Sequence, residues 1–328
     1  MDIESIVDPF RGGEVVVGVD GSPASRAALR FAASEAHLHG DTLVVLTATV
    51  GAALAGAVTA ASAPVEGMSS IMTGLMAPVV HTALRHFPAP VDLARDLGQT
   101  MVAQELGAAP KVTVGVEPYD GRPAQALVER SASADLVVVG ARGQVGLGFG
   151  SVADQVRRHA SGTVVVVPET AAPADGDAHV ADATPRPVVV GADGSPGARH
   201  ALRFAAREAR LRAAGLVVVA VYGPSDRLEL EALAGAHEPP GPDPQPAQTR
   251  AGIEQMIAEE PEAATIDVDL EVEPGRPANV LMDTARRVGG SLLVVGSRGL
   301  GGFTGLLLGS VSEAVSRHAQ CPVAVVRP

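Results

Sequence analysis

The stretch GSRGLGGFTGLLLGS, Gly296 to Ser310, holds the residues whose types and spacing are best suited to chemistry. It follows the apolar run Ser291 to Val295 and leads into the amphipathic segment Val311 to Ala319. Glycines at 296, 299, 301, 302 and 305 let a backbone approach a ligand closely and adopt positive φ, so that successive N–H groups converge on an anion. Gly309 and Ser310 stand at the mouth of the next helix, whose N-terminus favours negative charge. Together these are the parts of a phosphate cradle. The Ser310 hydroxyl has two competing uses there, as the helix N-cap or turned toward an anion. Arg298 supplies the only positive charge of the loop.

A second stretch, VVVGADGS, ends with Asp193 at the close of an apolar run. A carboxylate there can accept hydrogen bonds from a ribose hydroxyl or an adenine amino group, or it can cap the helix that starts after Ser195. In an open parallel sheet, ligands sit outside the carboxyl ends of the strands where the strand order reverses, so the ends of a first and a fourth strand share one crevice. The elements that must position these residues are legible in the pattern. Valine-rich runs predict strands at 187–192, 216–222, 265–273, 291–296 and 322–326, buried on both faces. Amphipathic stretches predict helices at 196–213, 248–260, 277–288 and 309–319. This alternation is that of a parallel sheet covered by helices on both faces.

The same plan occurs twice. Val15–Ala36 returns as Val188–Ala209, Asp120–Glu129 as Pro274–Asp283, Leu136–Gly143 as Leu292–Gly299, and Gly150–Ala160 as Gly309–Ala319. Blocks recurring in one order at such a long period mark a duplicated domain and not a solenoid. The expected division is a first domain over 1–168, a Pro-, Ala- and Asp-rich linker over 169–186 and a second domain over 187–328. The halves differ most between their second and third strands. The first carries a long region of low charge from Gly51 to Pro110 whose methionines read as packing, and the second carries HEPPGPDPQP at His237 to Pro246, read as a surface loop.

Composition excludes several classes. A formal net charge of −12 over 328 residues leaves no basic stripe for nucleic acid. Lys111 is the only lysine, which removes Schiff-base chemistry and a Walker lysine from the second half. Cys321 is the sole cysteine, so no internal disulfide forms, and CPVAVV reads as a core setting. The start MDIESIVDPFRGG lacks the pattern of a signal peptide, and a cytoplasmic location is the expectation. Residues 42–65 carry no charge, but GAALAGAVTAASAP is too small and polar to favour a membrane, so this reads as a core strand followed by an Ala/Gly-rich excursion. His159 and His318 read as polar residues at matching helix ends, not metal ligands. No metal-spaced His/Cys cluster and no Gly-x-Ser-x-Gly elbow occurs.

VDGS after a first strand, GRPA before a helix, and Gly-x2-Gly-x9-Gly-Ser at Gly296, Gly299, Gly309 and Ser310 resemble the universal stress protein family, over nearly the whole chain and in two tandem copies. The resemblance implies two open, twisted, five-stranded parallel sheets of order 3-2-1-4-5 and ATP as ligand, with any Mg2+ brought by the nucleotide. It implies that Ala192 and Asp193 face the adenine and ribose, and that Val221, ending the second strand, meets the adenine through its backbone. It implies that Gly296, Arg298, Gly299, Gly309, Ser310, Val311 and Ser312 line the triphosphate. In the first half Asp20, Ala48, Gly140, Arg142, Gly143, Gly150 and Ser151 match, but six residues replace nine between Gly143 and Gly150. Ala153 also stands where the second half has Ser312. The first site is therefore expected to be weaker or altered.

The resulting expectation is a nucleotide-binding protein without catalysis beyond slow ATP hydrolysis, whose ATP occupancy biases its shape or its pairing with a partner protein during stress or dormancy. The alternative is a nucleotide-free module whose last strands, TVVVVP and CPVAVVRP, pair domains or subunits edge to edge. A homodimer or a pseudo-dimer of the two halves follows from either reading.

Overall fold

The computed structural model describes residues 13–49, 90–107, 111–141, 152–171, 185–223, 245–299 and 308–327. The first half runs β1 (Glu14–Val19), α1 (Pro23–His39), β2 (Thr42–Thr49), α2 (Pro90–Leu106), β3 (Val114–Asp120), α3 (Pro123–Arg130), β4 (Leu136–Gly140), α4 (Val152–His159) and β5 (Val164–Val167). The second half repeats this order with β6 (Val188–Gly191), α5 (Pro196–Leu211), β7 (Leu216–Tyr222), α6 (Gln245–Ala258), β8 (Val268–Pro274), α7 (Pro277–Arg287), β9 (Leu292–Gly296), α8 (Ser310–His318) and β10 (Val323–Val326). The third strand of the second half starts later than its pattern predicts because Pro261–Thr265 first forms a 3-10 turn.

Each half has the order 3-2-1-4-5, so β1 lies between β2 and β4, and β6 between β7 and β9. The two sheets do not remain separate. β5 and β10 pair antiparallel, with Val323 opposite Val166 and Val325 opposite Val164, which makes one ten-stranded sheet. Alternation along the strands fills both faces: Val15 and Val17 join a core layer that runs through both halves, while Val16 belongs to a layer confined to the first. Alanines at 27, 28, 32 and 36 of α1, and at 201, 205, 206 and 209 of α5, bury small faces that let these helices sit close to the sheet. Met101 of α2 is buried in the same layer, in keeping with ordinary packing, and Met68, Met72 and Met76 lie outside the described residues.

Pairing of β5 with β10 leaves β3 and β8 as the outer edges. Asp269, Glu271 and Glu273 on β8 charge that edge, a feature that discourages strand addition. Across the central joint Arg157, only 1% exposed, contacts Asp154 on its own helix and donates to Ser316 Oγ at 2.7 Å and to the Glu313 carbonyl at 3.2 Å. Among the described residues, no helix is long and apolar enough to cross a membrane. Thr42–Thr49 of the uncharged stretch is β2, as expected, and residues 50–65 lie outside the described residues. Of HEPPGPDPQP, only Gln245 and Pro246 are described, and they start α6.

Candidate functional site

In the second half the chain leaves β6 through Ala192 and Asp193, and Gly194 takes φ +81°, a conformation that favours glycine. Asp193 Oδ1 accepts from the Ser195 amide at 3.0 Å, and Ser195 caps α5 by accepting from the Ala198 amide at 3.1 Å. One carboxylate oxygen thus shapes the turn, while the helix cap expected as this acid's other use is supplied by Ser195 instead. Its other oxygen faces the glycine loop: a Cβ built on Gly299 would lie 2.3 Å from Asp193 Oδ2. The ends of the first and fourth strands therefore meet in space, as the switch-point argument requires.

Two further glycines hold the loop against α5. A Cβ on Gly296 would come within 2.7 Å of the Gly197 carbonyl carbon and oxygen, and a Cβ on Gly197 would come within 2.3 Å of the Arg298 carbonyl oxygen. Neither obstacle is a flexible side-chain end, so both contacts need glycine. Gly197 did not stand out in the sequence, although the only signal available was present: Ala24 occupies this place in the first copy.

The far end of the loop is tied down by the Gly309 amide, which donates to the Ser297 carbonyl at 2.8 Å. Gly309 is the N-cap of α8, and Ser310 is already its first helical residue, so Ser310 does not cap the helix with its hydroxyl. That side chain is exposed at the helix mouth. The first helical bond runs from Glu313 to the Gly309 carbonyl, which leaves the amides of Ser310, Val311 and Ser312 without an intrahelical acceptor. Ser312 is placed differently from the expected phosphate lining. Buried at 3% exposure, its hydroxyl donates to the Gly296 carbonyl at 2.6 Å and locks the helix start to the end of β9.

On the opposite wall, Ala192 donates to the Val219 carbonyl at 2.9 Å, and the register between β6 and β7 ends there. Tyr222, which ends the strand in place of Val221, accepts from Gly275 on the β8 side. Backbone groups in a strand alternate sides, so the N–H and C=O of Val221 point past the end of β6 toward the crevice. Arg298 is exposed beside the loop. Arg327, not recognised in the sequence, lies near enough that burial and the Arg298 guanidinium together press its pKa below the usual arginine value. Arg327 itself donates to the Gly162 and Arg157 carbonyls across the joint, so among the described residues the crevice gathers glycine backbone, helix-start amides, the Arg298 guanidinium and one carboxylate.

The first half repeats the turn, with Asp20 Oδ1 accepting from the Ser22 amide at 2.9 Å and Ser22 capping α1. Gly140 presses on α1 as Gly296 does on α5, its built Cβ lying 2.7 Å from the Ala24 carbonyl carbon. Ala48, on β2 next to β1, takes the place of Val221. Arg142, Gly143, Gly150 and Ser151 lie outside the described residues, as do 300–307 of the second loop. His159 and His318 end α4 and α8 and are exposed, as expected of polar helix-end residues. Cys321 is partly buried, and burial pushes its thiol up to about 11.

A duplicated, doubly wound α/β protein with a glycine-lined crevice at the switch point of its second half is the class that this fold and geometry define. The chain belongs to the universal stress protein family, whose pattern it matches over residues 13–168 and again over 185–327. It is 35% identical over 320 residues to a universal stress protein of Mycolicibacterium smegmatis, covering 96% of this chain and 97% of the relative. A universal stress protein of Mycobacterium tuberculosis H37Rv is 32% identical over 321 residues, covering 95% and 94%. Among solved structures, a universal stress protein from Archaeoglobus fulgidus covers 97% of both chains with a TM-score of 0.55 at 18% identity, a likeness of fold.

Proposed function

We propose that the second half binds ATP in the crevice between β6 and β9, and that occupancy biases the conformation of the chain or its pairing with a partner protein. The observation that carries this reading is the meeting of Asp193 Oδ2 with Gly299. It sets a sugar-binding carboxylate beside a loop that presents backbone to phosphates, with the amides of Ser310 and Val311 at the helix mouth. Asp193 and Val221 hold the nucleoside, while Gly299, Arg298 and the start of α8 hold the phosphates. Any Mg2+ arrives with the nucleotide. In-line phosphoryl transfer needs a positioned base and metal-ligating side chains. The described crevice offers Asp193 alone among carboxylates, so binding and not turnover is the proposed role.

The edge pairing of the last strands that the alternative expected is present, since β5 and β10 join the two domains. It coexists with the crevice between β6 and β9, and the nucleotide reading rests on that crevice. Mass spectrometry of ligand released from freshly purified protein, followed by calorimetry with ATP, tests the proposal. Recovery of an adenine nucleotide and binding that weakens in Asp193→Ala support it. An absence of measurable ATP binding contradicts it.

A further inference from the structure

The joint between the halves is asymmetric where duplication would make it symmetric. α1 and α5 are copies, so Glu35 and His39 of α1 correspond to Glu208 and Arg212 of α5. These four side chains meet across the joint at the end of the strands opposite the crevice, where α1 ends and β2 begins. Arg212 lies 2.5 Å from Glu35 Oε1 and also contacts Glu208. His39 Nε2 stands 2.9 Å from Glu208 Oε1 and 3.8 Å from Glu35 Oε2. Side-chain exposures are 3% for Glu35, 0% for Glu208 and 7% for His39. Each helix thus reaches across to the other's glutamate. One does so with a permanent charge, the other with a group that is charged only when protonated.

Charge balance decides what such a cluster needs. Two buried carboxylates face one guanidinium, and an unbalanced buried charge is costly. The other charged groups nearby do not repair this: Asp41 Oδ2 lies 3.7 Å from His39 Nδ1, and Asp135 and Arg207 line an adjoining cavity of about 330 Å³ together with His39. Nε2 and Glu208 Oε1 stand at hydrogen-bond distance, so once Nε2 carries a proton the contact combines a hydrogen bond with charge. A divalent cation would compete with Arg212 for the same carboxylates, whereas one proton on His39 balances the inner four groups.

We propose that His39 is a proton-controlled latch whose imidazolium holds the two halves together and whose deprotonation loosens the β5–β10 joint. Burial works against the charged imidazole, but the Glu208, Glu35 and Asp41 carboxylates outweigh it and raise the His39 pKa. Burial likewise pushes Glu35 up to about 7, with Arg212 opposing. The cluster balances with one proton, shared between His39 and Glu35, and both shifts make that proton leave as pH rises. A group whose folded pKa is raised contributes stability that is full below its unfolded value and lost as pH rises through its folded value. For this cluster the loss begins above 4.5 for Glu35 and above 6.5 for His39, and continues past 7.

Hydrogen exchange of the facing β5 and β10 amides in the full chain, corrected for intrinsic rates, tests the latch. Protection in the unmodified chain is expected to fall about tenfold or more between about pH 6 and about pH 8.5, the equivalent of one pKa unit or more. His39→Arg copies Arg212 and is expected to keep its protection at both values, while His39→Gln is expected to lack the extra protection at the lower one. Equal protection at both values in the unmodified chain overturns the proposal. So does His39→Arg or His39→Gln retaining the original pH dependence, or Zn2+ restoring protection at high pH only when His39 is present.

Discussion

The two crevices share a turn but not a floor. Asp20 and Asp193 make the same hydrogen bond two residues ahead, and Ser22 and Ser195 cap equivalent helices. Gly140 and Gly296 each end a fourth strand hard against the first helix of their own half. The difference lies one layer further in. Gly197 lets the Arg298 carbonyl approach to 2.3 Å of where a methyl would be, and the first half puts Ala24 in that place. A carbonyl placed as Arg298's is would collide with that methyl. The loop that is three residues shorter and the methyl at 24 are therefore two expressions of one divergence. The fold survived duplication in both halves because its core depends on valine and alanine periodicity. The proposed phosphate cradle depends on a few close backbone approaches and can be lost without disturbing that core.

The same comparison can be broken or sharpened by substitution. The largest effect is expected at the joint. Arg157 is buried against Ser316, its counterpart in the second copy, and Arg157→Ala should cost about 3 kcal/mol in urea unfolding because it removes the buried bonds to Ser316 and the Glu313 carbonyl and leaves a cavity at the joint. Next comes conversion of the second floor into the first. Gly197→Ala should weaken ATP binding by roughly tenfold or more, as expected for about 1–3 kcal/mol of overpacking, with helix content unchanged in circular dichroism. Asp193→Ala should weaken ATP by about tenfold, in line with a charge-assisted hydrogen bond worth about 1.5–3 kcal/mol, while Asp20→Ala should leave ATP affinity unchanged. Equal losses from both aspartates would place nucleotide in both halves. The smallest effects concern groups without a partner role. Ser310→Ala should shift stability by less than about 0.5 kcal/mol, since Gly309 and not Ser310 caps α8. Cys321, with its thiol pushed up to about 11, should alkylate slowly in the folded chain near pH 8, and faster by about tenfold for each pH unit below 11.

Strand positions and the meeting of Asp193 with the glycine loop were legible because both follow from patterns that repeat along the chain: valine runs, a Gly-rich strand end and the switch-point rule. The strand order came only with the family resemblance. Helix bounds in the second half were read closely for the same reason. Three features were not legible. The role of Gly197 arises from a carbonyl of a distant segment, and nothing in the local sequence SPGARH reports that approach. Whether Gly309 or Ser310 caps α8 differs by one residue and is settled by the extended backbone of Gly309 and the first helical bond from Glu313 to its carbonyl. The hydroxyl of Ser312 was free to face a ligand or the strand, and the short reach to the Gly296 carbonyl decides between them. Valine-rich last strands suggested edge pairing but left the partner open. The cluster of Glu35, His39, Glu208 and Arg212 was invisible as a unit, because its two pairs lie more than a whole domain apart in sequence and meet only through the contact between the halves.

Calorimetric titration of the full chain with ATP and Mg2+ tests the central claim most directly. One nucleotide per chain at the higher-affinity site, with that site weakened by Gly197→Ala and untouched by Asp20→Ala, is the result predicted. Two sites of equal affinity, or binding indifferent to Gly197→Ala, would contradict the account.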